Sequence, residues 1–350
     1  MREGLLSDDA PKAAAGGAGP GPGEGPIAHL PVLLRESVEL LAPERGGLFV
    51  DATVGLGGHA EALLSRGPAV RLVGIDRDLE ALRRAADRLA PFGDRVRLAH
   101  GNFHRLEQEL AELGVEPGTV AGLLIDLGVS WLQLGTPDRG FSFRLAGPLD
   151  MRMGLSELTA ADLVNHSAEG DLERIFRDFG EERQARRIAR AIVLARGESP
   201  ITTTAELKRI IDEAKGGGHG PAAAGRAGRG HAGAARREGR VDPATRVFQA
   251  LRIAVNQELA GLETAMEQAV KMMATDGRLV VISYHSLEDR IVKNSLRDLV
   301  QGEVDQVTGR PRAESQLIAA LTRKPVRPTP EEVEWNPRAR SARLRAARRL

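Results

Sequence analysis

"GGLFVDATVGLGGHAEALL", Gly46 to Leu64, decides the fold. An apolar run ends in a glycine-rich turn, and an amphipathic segment follows at once. That order reads as buried strand, tight turn, helix. The unit repeats. "VRLVGID" is a second strand ending at Asp76, and "DLEALRRAADRLAPFG" is a helix stopped by Pro91. Its expected buried face is Leu79, Leu82, Ala86 and Leu89. "DRVRLAHGNF" gives a third strand, "RLEQELAELG" a helix, and "TVAGLLIDLGVS" a fourth strand ending at Asp126. Near-continuous apolar strands alternating with helices predict an α/β fold, a parallel sheet covered on both faces. Such sheets bind ligands at the carboxyl ends of their strands. The glycine turn, Asp76, Phe103 and Asp126 all fall at that edge.

Three ligands would suit a turn of this kind. A phosphate loop needs G-x-x-x-x-G-K-[ST], and no lysine follows Gly57, Gly58 and His59, so the sequence argues against this reading. A dinucleotide fingerprint needs a third glycine where Ala60 stands, although Asp76 sits where a ribose-binding acid belongs; that reading stays open. S-adenosylmethionine fits better. It has no pyrophosphate, so the glycines at Gly57 and Gly58 serve close backbone approach. Asp76 suits the ribose hydroxyls, and Asn102 and Phe103 suit the adenine. "DLGVS", Asp126 to Ser130, lies where a nucleophile would meet the donor.

Bulk composition narrows the class. The chain has 350 residues, a soft prior for two domains or one domain with an insertion. No cysteine is present, which excludes disulfides, thiolate zinc sites and cysteine nucleophiles. No His/Asp/Glu grouping has metal-ligand spacing, so no metal site is expected. No signal peptide or membrane span is read, and the expected location is cytoplasmic. Net charge is +1, so no global field attracts nucleic acid. Charge is concentrated instead in "ERQARRIARAIVLAR" and in the arginine-rich "NPRARSARLRAARRL". The latter reads as a solvent-exposed basic helix or tail, or as a patch that follows RNA phosphates.

The remaining chain gives the organisation. Residues 1–28 are Gly/Pro/Ala-rich and read as a disordered extension. Residues 29–143 and 244–350 read as the α/β core. Residues 144–243 lose strand character and read as an inserted helical domain, with Thr204 capping one helix and a flexible Gly/Ala/Arg-rich segment at 215–240. "DPATRVFQALRIAVNQELAGLETAMEQAVKMMATDG" reads as one long helix or two. "GRLVVISYHS" returns to strand, "SLEDRIVKNSLRDL" is a helix, and the final strands are expected between 301 and 329.

Eleven stretches occur in an order that matches a known family: "HLPVLLRESVELL", "DATVGLGGHA", "GIDRD", "GNF", "DLGVS", "RGFSF", "GPLDMRM", "FGEER", "FQALRIAVNQEL", "ISYHSLEDRIVK" and "NPRARSARLRA". From His29 to Arg345 the chain resembles the bacterial RsmH (MraW) family. The resemblance implies a Rossmann-like S-adenosylmethionine-dependent methyltransferase core with an inserted helical domain for substrate recognition. It implies methylation of the exocyclic N4 of a cytidine in 16S ribosomal RNA, within the small subunit or a late assembly intermediate. It maps the donor site onto Gly57, Gly58, His59, Asp76, Phe103, Asp126 and Gln133. The loop after Asp126, "VSWLQLG", departs from the family's usual pattern. Oligomeric state is not fixed by the sequence, and a homodimer is one option.

The chemistry follows from the acceptor. The N4 lone pair of cytosine is shared with its ring, so acceptors for the N4 protons would expose it. Asp126 or backbone carbonyls of "DLGVS" are candidates. Tyr284 could stack on the base and His285 could accept a proton. Alignment alone can supply about 7–11 kcal/mol. The base must leave its stack to reach the donor. An amino-methyltransferase for DNA or protein, and a silent RNA-binding factor, are the alternatives, with a dehydrogenase further off.

Overall fold

The computed structural model describes residues 31–144, 146–154, 156–216, 242–302 and 315–350, without the side chains of Trp131 and Leu132. The expected extension at 1–28 lies outside these residues. So does most of 215–240, of which Lys215 and Gly216 end a helix.

The chain runs α1 (Leu34–Leu41), β1 (Gly47–Asp51), α2 (Gly58–Leu64), β2 (Val70–Asp76), α3 (Leu79–Leu89), β3 (Val96–His100), α4 (Leu106–Glu112) and β4 (Val120–Asp126). A short α5 (Trp131–Gly135) leads to α6 (Ala160–His166), α7 (Glu169–Asp178), α8 (Ala185–Glu198), α9 (Thr204–Gly216) and α10 (Thr245–Asn256). The chain then closes with α11 (Leu262–Met272), β5 (Met273–Ser283), α12 (Ser286–Gln301), β6 (Ile318–Ala320), α13 (Pro330–Trp335) and β7 (Arg343–Arg349).

The strands form one sheet in the order β3-β2-β1-β4-β5-β7-β6. β1 to β5 are parallel, and β7 is antiparallel to both of its neighbours. The alternation of side chains along a strand divides the apolar runs between two cores. Val50, Val73, Leu123, Ile125 and Val281 face α4, α11 and α12. Phe49, Leu72, Leu124, Val280 and Ile282 face α1, α2 and α3. Each such side chain withdrawn from water is worth about 1.5–3 kcal/mol. Both faces of the sheet are therefore covered, as the unbroken apolar strands require.

The structure corrects four readings. In α3 the buried residues are Ala81, Leu82, Ala85 and Leu89, whereas Leu79 is 52% exposed and Ala86 is exposed. The stripe is set by where Leu82 and Leu89 meet the sheet, and Leu79 in the first turn points past its edge. The cap of α9 is Thr203, whose hydroxyl accepts the Glu206 amide; Thr204 is already in the helix and buried. The boundary at 243/244 moves. Val247, Phe248, Ala250 and Leu251 of α10 bury into the core of α6 to α9, so the chain leaves the helical body near Asn256. Lastly, "RLRAARR" is neither a basic helix nor an exposed tail. It is β7, placed between β5 and β6 with Leu344, Ala346 and Ala347 buried. The alternation of small or apolar residues with arginines is a strand pattern that net charge conceals.

Candidate active site

Asp51, Asp76 and Asp126 close β1, β2 and β4, so parallel topology alone brings three carboxylates to one edge of the sheet. A cavity of about 720 Å³ opens there. Its floor is the turn after β1, Asp76, Phe103 and the loop that starts at Asp126. Met153, Arg252 and Glu258 line it from the helical side, and Trp335 to Arg338 form part of its rim.

The turn is built by the backbone. The Val54 amide donates to the Ile75 carbonyl at 2.9 Å, and the Gly57 amide donates to the Val54 carbonyl at 2.8 Å. Gly57 has φ +79° and begins α2, a left-handed conformation that costs glycine nothing. Arg88 of α3 holds the turn in place, with Nε on Glu61 at 2.8 Å and a second nitrogen on the Leu56 carbonyl at 3.3 Å. Gly58 and His59 line the cavity; Gly57 lies behind it, against Leu89.

Asp76 accepts the Gly55 amide on Oδ2 at 2.8 Å and the Asp78 amide on Oδ1 at 2.9 Å. Burial pushes its pKa up, and the two amides work against that rise. Each oxygen keeps a lone pair for hydroxyl groups in the cavity.

Asp126 is gripped on several sides. Its amide donates to Thr53 Oγ1 at 2.7 Å, and Tyr284 donates its hydroxyl to Oδ1 at 2.9 Å. His59 Nδ1 stands 3.9 Å from Oδ2. The other imidazole nitrogen, Nε2, is 3.2 Å from the Val32 carbonyl, which can only accept, so Nε2 carries a proton. Burial raises the Asp126 pKa to about 7, with the Tyr284 hydrogen bond lowering it and Glu288 raising it. Asp51 is 1% exposed and is pushed up to about 8, first by burial and then by the charges of Asp126 and Asp76, while the Thr53 amide opposes the rise.

Gln133 lines the cavity, but both ends of its amide are engaged. Oε1 accepts the Ser130 amide at 2.9 Å and Nε2 donates to Asp78 Oδ2 at 3.0 Å. Arg139 joins the same oxygen at 2.9 Å. Burial would raise the Asp78 pKa, yet these two donors hold it below the usual carboxylate range. The loop after β4 is thus tied to the segment after β2.

Tyr284 reaches the cavity, whereas His285 does not line it. The His285 ring caps α12: Nδ1 accepts the Glu288 amide at 3.4 Å, and Glu288 Oε2 accepts the amides of Tyr284 and His285 at 2.8 and 3.3 Å. The expected proton acceptor is therefore spent on a helix terminus. Among the described residues, Glu258, His285 and Glu288 bring donor atoms within 4.8 Å of one another. Glu258 already takes Arg252 at two points, at 2.9 and 2.8 Å, and the engaged Nδ1 leaves the proton on His285 Nε2, 3.0 Å from Glu288. Glu258 is thus paired with Arg252, and the imidazole has no free lone pair for a cation.

Sequence reading missed Asp51, Thr53, Asp78, Arg139 and the rim at Trp335. Asp51 and Thr53 lie within the quoted strand and turn, where polarity inside an apolar run was the available signal. Asp78 is the N-cap of α3, its side chain accepting the Glu80 amide at 3.1 Å. Arg139 and Trp335 lie far off in sequence, the first opening the quoted "RGFSF" and the second just before "NPRARSARLRA".

Residues 26–350 match the MraW methylase family. The chain is 48% identical to ribosomal RNA small subunit methyltransferase H of Thermobifida fusca, covering 98% of this chain and 99% of that protein. It is 47% identical to the protein of that name from Geotalea uraniireducens, over 92% of this chain and 98% of the relative. The protein of the same name from Salinispora arenicola is 49% identical, over 92% and 83%.

Proposed function

Because the chain belongs to the MraW methylase family, we propose that it transfers a methyl group from S-adenosylmethionine to the N4 of a cytidine in 16S ribosomal RNA, acting on the small subunit or a late assembly intermediate. The observation that carries the reading is the position of Asp126. Its carboxylate faces the cavity that Asp76 also lines, and it is fixed by Tyr284 from the end of β5.

The residues present fit the donor. Asp76 offers two lone pairs for the ribose hydroxyls, Phe103 an apolar surface for the adenine, and Gly55 and Gly58 two points where the backbone itself meets the cavity. The carboxylate of Asp126, which lines the cavity, suits a cationic sulfonium. When bound, S-adenosylmethionine supplies an electrophilic methyl group.

This chain's own residues prepare the acceptor. Asp126 accepts one N4 proton as a hydrogen bond, which localises the nitrogen lone pair out of the ring. Tyr284 holds the carboxylate so that this bond is made without reorganisation. Once nitrogen is methylated its proton is acidic, and a carboxylate titrating at about 7 takes it near neutral pH. The donor and base are held in one cavity, so encounter is replaced by orientation. Among the described residues, no helix is long and apolar enough to cross a membrane.

The test is methyl transfer from labelled S-adenosylmethionine to small subunits and to naked 16S RNA, with nucleoside analysis. N4-methylcytidine is the expected product, formed faster on the subunit. Donor binding without any methylated cytidine would remove the proposal.

A further inference from the structure

We propose that Arg183, Arg186, Arg187 and Arg190 form a phosphate-binding face that holds the RNA strand adjoining the nucleotide to be methylated. The inference rests on the RNA reading above and adds the place where the strand lies.

The structure separates the two arginine-rich segments. Arginines of the C-terminal strand are used within the fold. Arg343 and Arg345 pair with Asp289 at 3.0 and 2.7 Å, Arg348 pairs with Asp276, and Arg349 donates to the carbonyls of Val270 and Lys271 at 2.8 Å. Neighbours in the helical body are spent likewise. On α7, Arg177 meets Glu173 at 3.4 Å and Asp178 at 3.0 Å; on α9, Arg209 meets Glu213 at 2.9 Å. The four arginines of the α8 face differ. All are exposed, and among the described residues none has an ion pair or hydrogen bond.

They also lie together. On α8, Arg186 and Arg190 are four residues apart and Arg187 and Arg190 are three apart, so they adjoin on one surface, and Arg183 lies in the turn two residues before the helix. From Arg186 to Arg190 the face runs about 6 Å along the helix axis. The opposite side of α8, Ala185, Ile188, Ala189 and Ile192, is buried in the helical core, which fixes the arginines toward solvent. The helix has no acid before Glu198. Four like charges without a counter-charge repel one another, and a polyanion is the partner that relieves this. Guanidinium groups match phosphate oxygens two at a time.

The face begins beside the reaction site. In the turn before α8, Glu181 accepts from Ser286 Oγ at 2.6 Å and from Arg290 at 3.1 Å. Ser286 opens α12, two residues after Tyr284. Arg183 is two residues from Glu181. A strand whose base enters the cavity at Tyr284 therefore meets these arginines with its neighbouring phosphates.

The experiment compares the full-length protein with the triple variant Arg183→Gln, Arg187→Gln, Arg190→Gln. Methyl transfer to small subunits is followed between about 50 and 200 mM salt. The expected result is a KM for subunits raised roughly 10-fold and a slope of log kcat/KM against log salt shallower by about 2–3. Donor affinity and kcat at saturation stay unchanged. A second triple, Arg66→Gln, Arg71→Gln, Arg83→Gln, removes the same charge from the core's outer surface and is expected to behave as wild type. Polycytidylate is expected to inhibit wild type more strongly than the α8 triple. Unchanged KM and slope in the α8 triple would overturn the inference, as would an equal loss in the second triple. A lower slope with equal inhibition by polycytidylate would also overturn it, in favour of an acidic protein surface. Failure of the functional reading would look different, because wild type itself would then form no N4-methylcytidine.

Discussion

Tyr284 and Asp126, 158 residues apart, are joined by a 2.9 Å hydrogen bond across the cavity, with the phenol donating to Oδ1. The bond links the ends of β5 and β4 and opposes the rise that burial imposes on the carboxylate's pKa. Removing it with Tyr284→Phe leaves burial unopposed, so the Asp126 pKa rises from about 7. A larger fraction of the enzyme is then protonated at neutral pH. The acid limb of kcat against pH is expected to move upward, with kcat at pH 7 reduced roughly 10-fold or more. Single-turnover rates across the pH range measure this. An unchanged profile would deny the carboxylate its role as acceptor.

Gly128 sustains the same pair. Its φ is +119°, and a Cβ there would stand 2.9 Å from Tyr284 Cδ2. Gly128→Ala is expected to displace the ring from Asp126 and cost about 1–3 kcal/mol in backbone strain. Turnover should fall while donor affinity, measured by calorimetry, changes little. Combined with Tyr284→Phe the loss in turnover should be less than additive, since both variants break one contact.

Asp51 gives a stability test with a definite sign. An ordinary carboxylate titrates near 3.8, and folded Asp51 at about 8. Between these values the folded protein holds one more proton than the unfolded chain, so this residue's contribution to stability falls as pH rises from about 4 to 8. Asp51→Asn keeps the oxygen that accepts the Thr53 amide at 3.2 Å and removes the buried charge. The variant's Tm should exceed that of wild type by several degrees at pH 9, and the gap should shrink toward pH 5. A constant difference would show that Asp51 does not titrate on folding.

Gln133 tests how the donor loop is held. Gln133→Glu exchanges the amide that donates to Asp78 for a carboxylate facing that acid. Like charges would part the loop after β4 from the segment after β2. The KM for S-adenosylmethionine is expected to rise roughly 10-fold, from about 1.4 kcal/mol of lost binding. Gln133→Leu, lacking the repulsion, should lose less. Equal effects would mean that the side chain meets the donor rather than positioning the loop.

Much of the parallel half of the sheet is legible in the sequence, because each strand there is an apolar run and each crossover a helix with one apolar face. The carboxylates at the strand ends follow from that topology. Thr53, Asp78 and Arg139 are not legible in the same way. Their roles arise from contacts across 73, 55 and 61 residues, which no local period encodes. His285 misleads for the opposite reason, since a polar residue after a strand suits both a reactive site and a helix cap. The C-terminal arginines mislead through charge. The alternation that makes them a strand is visible only when small residues such as Ala346 and Ala347 are counted as core.

The place of β7 has a consequence for the birth of the protein. Strands β1 to β5 can pair in the order in which they are made, but β7 is inserted between β5 and β6. Until Arg343–Arg349 has been synthesised, β5 has an open edge, β6 has no partner, and Asp289 of α12 waits for both its arginines. Domains fold as their residues emerge during synthesis. This one closes late, so a nascent chain still short of β7 lacks the finished support for the helix that follows Tyr284. Competence to modify a ribosome then waits until β7 has been made by one.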